Sequence, residues 1–222
     1  MKSFVFDVET KGQAIEDVLK FKPDFEAPAS YKDPIKIAAA ILEKEINWKN
    51  ELALDPVTGS ILVIGIREVG GKDYILLEGE EKDILANFWK TYEESRDHPE
   101  AGHGPAQWIG HYIYTFDLSY IIRRCWILDV KVPSYLVDEI RKWQDHGFID
   151  TAKIWQLNGY NKEDKYIKLS VIGEVLGVGI KTGEGKDFAE LYKKDRAAAI
   201  TYLKTDLDLT EGVARRIVPF VY

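Results

Sequence analysis

Two acids stand two residues apart in an otherwise apolar stretch, Phe6-Asp7-Val8-Glu9-Thr10. Burying such a pair is costly unless a cation joins it, because the two charges repel and both lose water. A third acid, Asp117, closes the run Gly110-His111-Tyr112-Ile113-Tyr114-Thr115-Phe116-Asp117, and a fourth, Asp206, follows Tyr202 by four positions. Four carboxylates are an oxygen-donor set suited to hard divalent cations such as Mg²⁺ or Mn²⁺. The chemistry that two such cations serve is hydrolysis of phosphodiester bonds.

The elements that must position these acids are legible around them. Ser3 to Val8 reads as a buried strand that ends in a turn at Thr10-Lys11-Gly12. Side chains of a strand repeat with period two, so Asp7 and Glu9 share one face. The apolar stretch Gln107 to Tyr112 predicts another strand, and Leu118, Ile121, Ile122, Cys125 and Trp126 follow at helical spacing. That places Asp117 at a strand-to-helix junction, where sites of α/β folds gather. Asp195 to Ile217 has no interior proline and predicts a long helix, on which Tyr202 and Asp206 lie one turn apart on a common face. Among 37 acids, any one of these motifs would arise by chance. Taken together they stand apart, because Asp7 and Glu9 lie in an apolar strand where unpaired carboxylates are costly and their partners recur in matching structural contexts.

Taken in order, Phe6 to Thr10, Gly110 to Asp117 continuing through Leu118-Ser119-Tyr120-Ile121, and Tyr202 to Asp206 resemble the three exonuclease motifs of the DEDD superfamily. The tyrosine four residues before the last aspartate resembles its DEDDy branch. The likeness is nearest to the proofreading exonuclease domain of family B DNA polymerases and its free-standing relatives, and covers residues 1 to 10 and most of 60 to 216. Phe148-Ile149-Asp150 and Lys168-Leu169-Ser170-Val171-Ile172, with Leu176-Gly177, add to it.

The resemblance implies an α/β, RNase H-like fold: a mixed five-stranded sheet flanked by helices, with a helical insertion after the first strand. It implies a 3′-5′ exonuclease acting on single-stranded or frayed DNA with two cations, Mg²⁺ or Mn²⁺. Asp7, Glu9 and Asp206 would hold the metal that activates water, Asp7 would also bridge to a second, and Asp117 would support that second metal. Tyr202 would orient the water or the scissile phosphate, since a phenol keeps its proton at neutral pH. Substrate contacts would come from Thr10, Lys11, Tyr112, Thr115 and Phe116. The family usually has asparagine at the position of Tyr112, often another at Thr115, and proline at Ser119. Expected partners are 3′ ends of single-stranded DNA, with RNA possible, and replication or repair proteins. A 3′-trimming ribonuclease would use the same acids, and a non-catalytic nucleic-acid or partner-binding module could share the fold.

With 222 residues, 45% of them hydrophobic, the chain can bury one sizeable core and reads as a single domain. A net charge of -7 argues against a broad basic face for nucleic acid and leaves room for a local stripe, for which Lys11, Lys168, Lys181 and Lys186 are candidates. One cysteine, Cys125, excludes an internal disulfide framework and suits a reducing compartment. No signal peptide fits the start, and the longest apolar run, Ile61 to Ile66, is too short to span a membrane; a cytoplasmic location is expected.

Ile61 to Ile66 and Tyr74 to Leu77 predict a meander around Gly70-Gly71, and Glu80 to Glu94 a helix. Residues 13 to 60 read as an insertion. In it Asp33-Pro34 starts a helix carrying Ile35, Ala38, Ala39, Leu42 and Ile46 at helical spacing, and Asp55 to Gly59 make a turn. A packed surface excursion and a flap near the catalytic end are both compatible with that pattern. Gly177 to Gly183 and Gly185-Lys186-Asp187 miss the phosphate-loop pattern, and His98, His103, His111 and His146 lack metal-motif spacing. Trp89, Trp108, Trp126, Trp143 and Trp155 sit mostly at core-like positions.

Overall fold

β1 (Ser3–Gly12) buries Phe4, Phe6 and Val8 on one face and carries Val5, Asp7 and Glu9 on the other. A computed structural model of the chain describes residues 2–96, 106–134, 136, 147–157, 167–180 and 188–218. In it β1 is the middle strand of a five-stranded sheet of order β3-β2-β1-β4-β5. β2 (Gly59–Glu68) and β3 (Tyr74–Glu78) pair antiparallel, whereas β4 (Gln107–Gly110) runs parallel to both β1 and β5 (Phe148–Asp150). This is the α/β architecture with a mixed sheet that the sequence predicts, consistent with an RNase H-like fold.

Strand alternation decides what covers each face. Phe4, Phe6 and Val8 join Trp108 in a buried cluster with Ile84, Phe88 and Trp89 of α3 (Glu81–Arg96) and with Leu118, Ile121 and Cys125 of α4 (Asp117–Leu128). On the opposite face, Leu203, Leu207 and Ala214 of α8 (Arg196–Ile217) close over Val5, Val63 and Ile109. Gly65 in β2 permits this approach. A Cβ there would lie 2.9 Å from Leu207 Cδ1 and 3.0 Å from Leu203 Cδ2, so a larger residue would force these leucine side chains to give way. The shorter helices α5 (Thr151–Trp155), α6 (Leu169–Val175) and α7 (Phe188–Lys194) pack against α8.

Polar anchors fix α8 along its length. At its start, Arg196 and Tyr192 both donate to Glu78 at the end of β3. Further on, the Tyr74 hydroxyl donates to Asp208 (2.5 Å), which Arg67 also engages, and the Gly70 amide and Arg215 donate to Glu211 (3.0 and 2.9 Å). Burial, then the Asp208 hydrogen bond and charge, push the Tyr74 phenol up to about 12, so it remains a donor throughout the neutral range.

The chain divides into two compact units, Met1–Glu9 with Ile61–Tyr222, and Thr10–Ser60. The second contains α1 (Ile15–Val18) and α2 (Pro34–Asn50) and buries Val18 and Leu52. Its ends are tied by Gln13 Nε2 donating to the Gly59 carbonyl (2.8 Å) and by the Thr58 hydroxyl donating to Leu52 (3.0 Å). Asp33 caps α2 by accepting from the Ile35 amide (2.9 Å), with Pro34 at the first helical position.

Two expectations shift, and the α2 helix stands as predicted. β4 ends at Gly110 instead of Tyr112, because Tyr112 adopts φ 62° and its amide leaves the sheet. Trp126 is 62% exposed, outside the core, whereas Trp89 and Trp108 are buried. On α2 the stripe Ile35, Ala38, Ala39, Leu42 and Ile46 is exposed, while Ile37, Ala40, Ile41 and Trp48 form the half-buried side. The helix is apolar on two sides, and spacing alone does not say which turns inward. His98, His103, His146, Trp143, Lys181, Lys186 and the Gly185 segment lie outside the described residues. Among the described residues no helix is long and apolar enough to cross a membrane.

Candidate metal centre

The second face of β1 places Asp7 and Glu9 beside Val5, and Val5 packs under Leu207 of α8. The residue before Leu207 is Asp206, so the helix that covers Val5 also delivers the third carboxylate. One oxygen from each of Asp7, Glu9 and Asp206 lies within 4.8 Å of the other two. Two oxygens on opposite sides of a hard cation, at about 2.1–2.4 Å each, are separated by about 4.2–4.8 Å. The three acids therefore fit one divalent cation. Glu9 and Asp206 are buried and Asp7 is half-buried, so the group opens to solvent on the Asp7 side.

Asp117 joins from the start of α4. It is 4% exposed, and its carboxylate accepts the Val8 amide at 3.0 Å, which ties the α4 N-terminus to β1 between Asp7 and Glu9. Burial above all, and then the charge of Asp7, push its carboxyl well above the usual range; the Val8 hydrogen bond works in the opposite sense. A buried carboxyl raised in this way would be relieved of that penalty by a cation. Tyr202 is buried one turn before Asp206, with its ring centroid 6.0 Å from that of Phe188.

The loop from Gly110 to Asp117 is held by the strand and helix that follow it. Asp150, 4% exposed, accepts the Tyr112 amide (2.9 Å), the Tyr114 amide (3.4 Å) and, as cap of α5, the Ala152 amide (3.0 Å). The His111 ring contacts the Thr151 hydroxyl (2.9 Å) and the Ile167 carbonyl (3.0 Å), and Thr151 in turn donates to the Gly110 carbonyl (3.0 Å). The Tyr112 hydroxyl accepts from Gln156 Nε2 and the Ile167 amide, each at 3.0 Å. Sequence marks Asp150 as an acid between a strand and a helix, a cap signature. Nothing local to it reveals that it also clamps the loop bearing Asp117.

Asp150→Asn replaces one acceptor oxygen with an amide that faces backbone donors. A loss of about 2 kcal/mol in unfolding free energy is expected, measured by urea denaturation at neutral pH.

The residues expected to touch substrate divide differently. The Thr10 hydroxyl donates to the Ala53 carbonyl (2.8 Å), within the Thr10–Ser60 unit, and Lys11 is exposed in the same unit. The Tyr112 hydroxyl is committed to Gln156 and Ile167, so Tyr112 braces its loop. Thr115 is exposed, and its carbonyl accepts from Ser119 (3.1 Å); Phe116 is half-buried against Tyr120, with ring centroids 5.3 Å apart. Lys168 is exposed at the cap position of α6. Comparison of the chain with protein-family models and with curated protein sequences finds no match.

Proposed function

We propose that this protein is a metal-dependent 3′-5′ exonuclease of the DEDDy type that hydrolyses phosphodiester bonds at single-stranded or frayed DNA ends. The observation that carries the proposal is the meeting of Asp7, Glu9 and Asp206 within 4.8 Å, with Asp117 close enough to Asp7 for their charges to act on each other. Hydrolysis breaks the bond between phosphorus and the bridging 3′ oxygen; water supplies hydroxide to phosphorus and a proton to the departing oxygen. Divalent cations, when bound, would supply Lewis-acid polarisation of the phosphoryl group and lower the pKa of the attacking water. Asp7, Glu9 and Asp206 would hold one, and Asp7 with Asp117 a second. Val8 keeps the Asp117 carboxylate aimed through its amide, and the Asp150 clamp keeps the loop before Asp117 in place. Tyr202, one turn from Asp206, would orient water or the scissile phosphate through its hydroxyl. The polarity and the DNA substrate rest on the motif resemblance. A cytoplasmic setting suits the single thiol: Cys125 is buried, and burial raises its pKa to about 11, which leaves it inert as a nucleophile.

The deciding experiment is product analysis on 5′-labelled single strands of DNA and RNA with Mg²⁺, Mn²⁺ or chelator. Shortening of DNA by single nucleotides from an unblocked 3′ end is expected; internal cuts, 5′ degradation or metal-independent activity would overturn the proposal. Metal should also stabilise the fold, because a ligand of the native state alone adds about 2.7 kcal/mol at a hundred times its Kd. A higher melting temperature with Mn²⁺ than with EDTA is expected, and Asp7→Ala should remove most of the difference.

A further inference from the structure

Eight of the fifteen exposed large apolar side chains of the described residues fall within Thr10–Ser60, and the longest ordered row of them is on α2. Ile35, Leu42 and Ile46 are 79%, 58% and 47% exposed, and Ala39 completes a stripe at spacings of four, three and four along a 17-residue helix. That is the spacing of a coiled-coil seam, two apolar positions per seven residues. A stripe so exposed is a candidate contact surface.

The charges beside the stripe say which partner. Lys36 and Glu43 are exposed, seven residues apart, and so stand on the same flank two turns from each other. Among the described residues neither makes an ion pair, whereas Glu45, on the opposite flank, is engaged by Lys22 (3.0 Å) and Lys49 (3.3 Å). In an antiparallel pair of identical helices a two-fold axis brings like flanks together. With the axis midway between residues 40 and 41, Ile35 meets Ile46 and Ala39 meets Leu42 of the second copy. The same placement brings Lys36 within about two residues, roughly 3 Å along the axis, of the second copy's Glu43, and the symmetry makes this pair twice. A parallel pairing sets this flank against the opposite one and leaves both charges unmatched.

We propose that α2 is a dimerisation element, joining two copies of this chain through an antiparallel, two-fold helix pair centred between Ala40 and Ile41. The helix is only about 25 Å long, and a contact of this size supports reversible association, with Kd on the order of micromolar. The proposal is independent of the nuclease chemistry, and its test uses the full chain with chelator present.

The test is sedimentation equilibrium over a wide concentration range, with circular dichroism confirming that each variant is folded. Wild type should pass from monomer to dimer, and Leu42→Glu should remain monomeric. Lys36→Glu places two acids against each other twice, and Glu43→Lys does the same with two lysines, so each alone should weaken the dimer by about tenfold. An equimolar mixture of the two single variants restores both pairs and should associate as tightly as wild type, as should the double variant K36E/E43K. A wild type that stays monomeric at hundreds of micromolar, a Leu42→Glu variant that dimerises unimpaired, or a mixture no tighter than its components would each overturn the proposal.

Discussion

Asp206→Ala should bring turnover on single-stranded DNA down by more than about 10³-fold, to background, while Tyr202→Phe should lose about 10²- to 10³-fold and remain measurable. The two side chains are one turn apart on α8, yet they act in different ways. Asp206 is one of three acids whose oxygens lie within 4.8 Å, so its removal leaves two donors for a cation and weakens everything the cation would do. Tyr202 contributes one hydroxyl. Its ring packs beside Phe188 and among Val63, Ile200 and Leu203, contacts that phenylalanine retains, so the variant isolates a single oriented hydrogen bond. Loss of such a contact is worth about 2.7 to 4 kcal/mol by analogy with oxyanion donors. The check is single-turnover kinetics with Mn²⁺ for both variants, alongside melting curves with Mn²⁺ and EDTA. Tyr202→Phe should keep the metal-induced rise in melting temperature and Asp206→Ala should lose it. Full activity in Asp206→Ala would remove the three-acid group from the chemistry.

What made this centre legible was that each acid lies on an element with strong local signals. Period-two alternation around Asp7 and Glu9 fixes their common face, and the four-residue spacing of Tyr202 and Asp206 fixes theirs. Those signals are set by the backbone and survive into the fold. What stayed hidden depends on contacts between distant parts of the chain. Asp150 becomes a clamp only when β5 lies beside β4, and where β4 ends the Tyr112 amide turns to Asp150 instead of the sheet. Gly65 looks like a weak point in an apolar strand and is the place where α8 reaches the sheet. On α2 the difficulty is of another kind: the helix has apolar residues on two sides, so periodicity finds the helix and leaves its inward face undetermined.

Asp117→Asn should raise the melting temperature of the metal-free protein at neutral pH while lowering activity by at least about 10²-fold. Asp117 is buried, and its carboxyl is held well above the usual range by burial first and the Asp7 charge second. Without a cation, its ionised form therefore costs stability. A carboxyl whose pKa is raised on folding gives its full stabilising contribution below the unfolded value, about 3.9, and loses it as pH rises through the folded value. Asparagine carries no charge to lose, and its amide oxygen can still accept the Val8 amide that Asp117 binds at 3.0 Å. The gain from the substitution should thus be small near pH 4 and grow toward pH 7 in EDTA. With saturating Mn²⁺ the comparison should reverse, because the cation would stabilise the four-acid protein and find one carboxylate fewer in the variant. Melting curves at pH 4, 5.5 and 7, each with EDTA and the last also with Mn²⁺, measure both signs. A variant that melts below wild type in EDTA at pH 7 would mean that the Asp117 charge is already compensated within the metal-free fold.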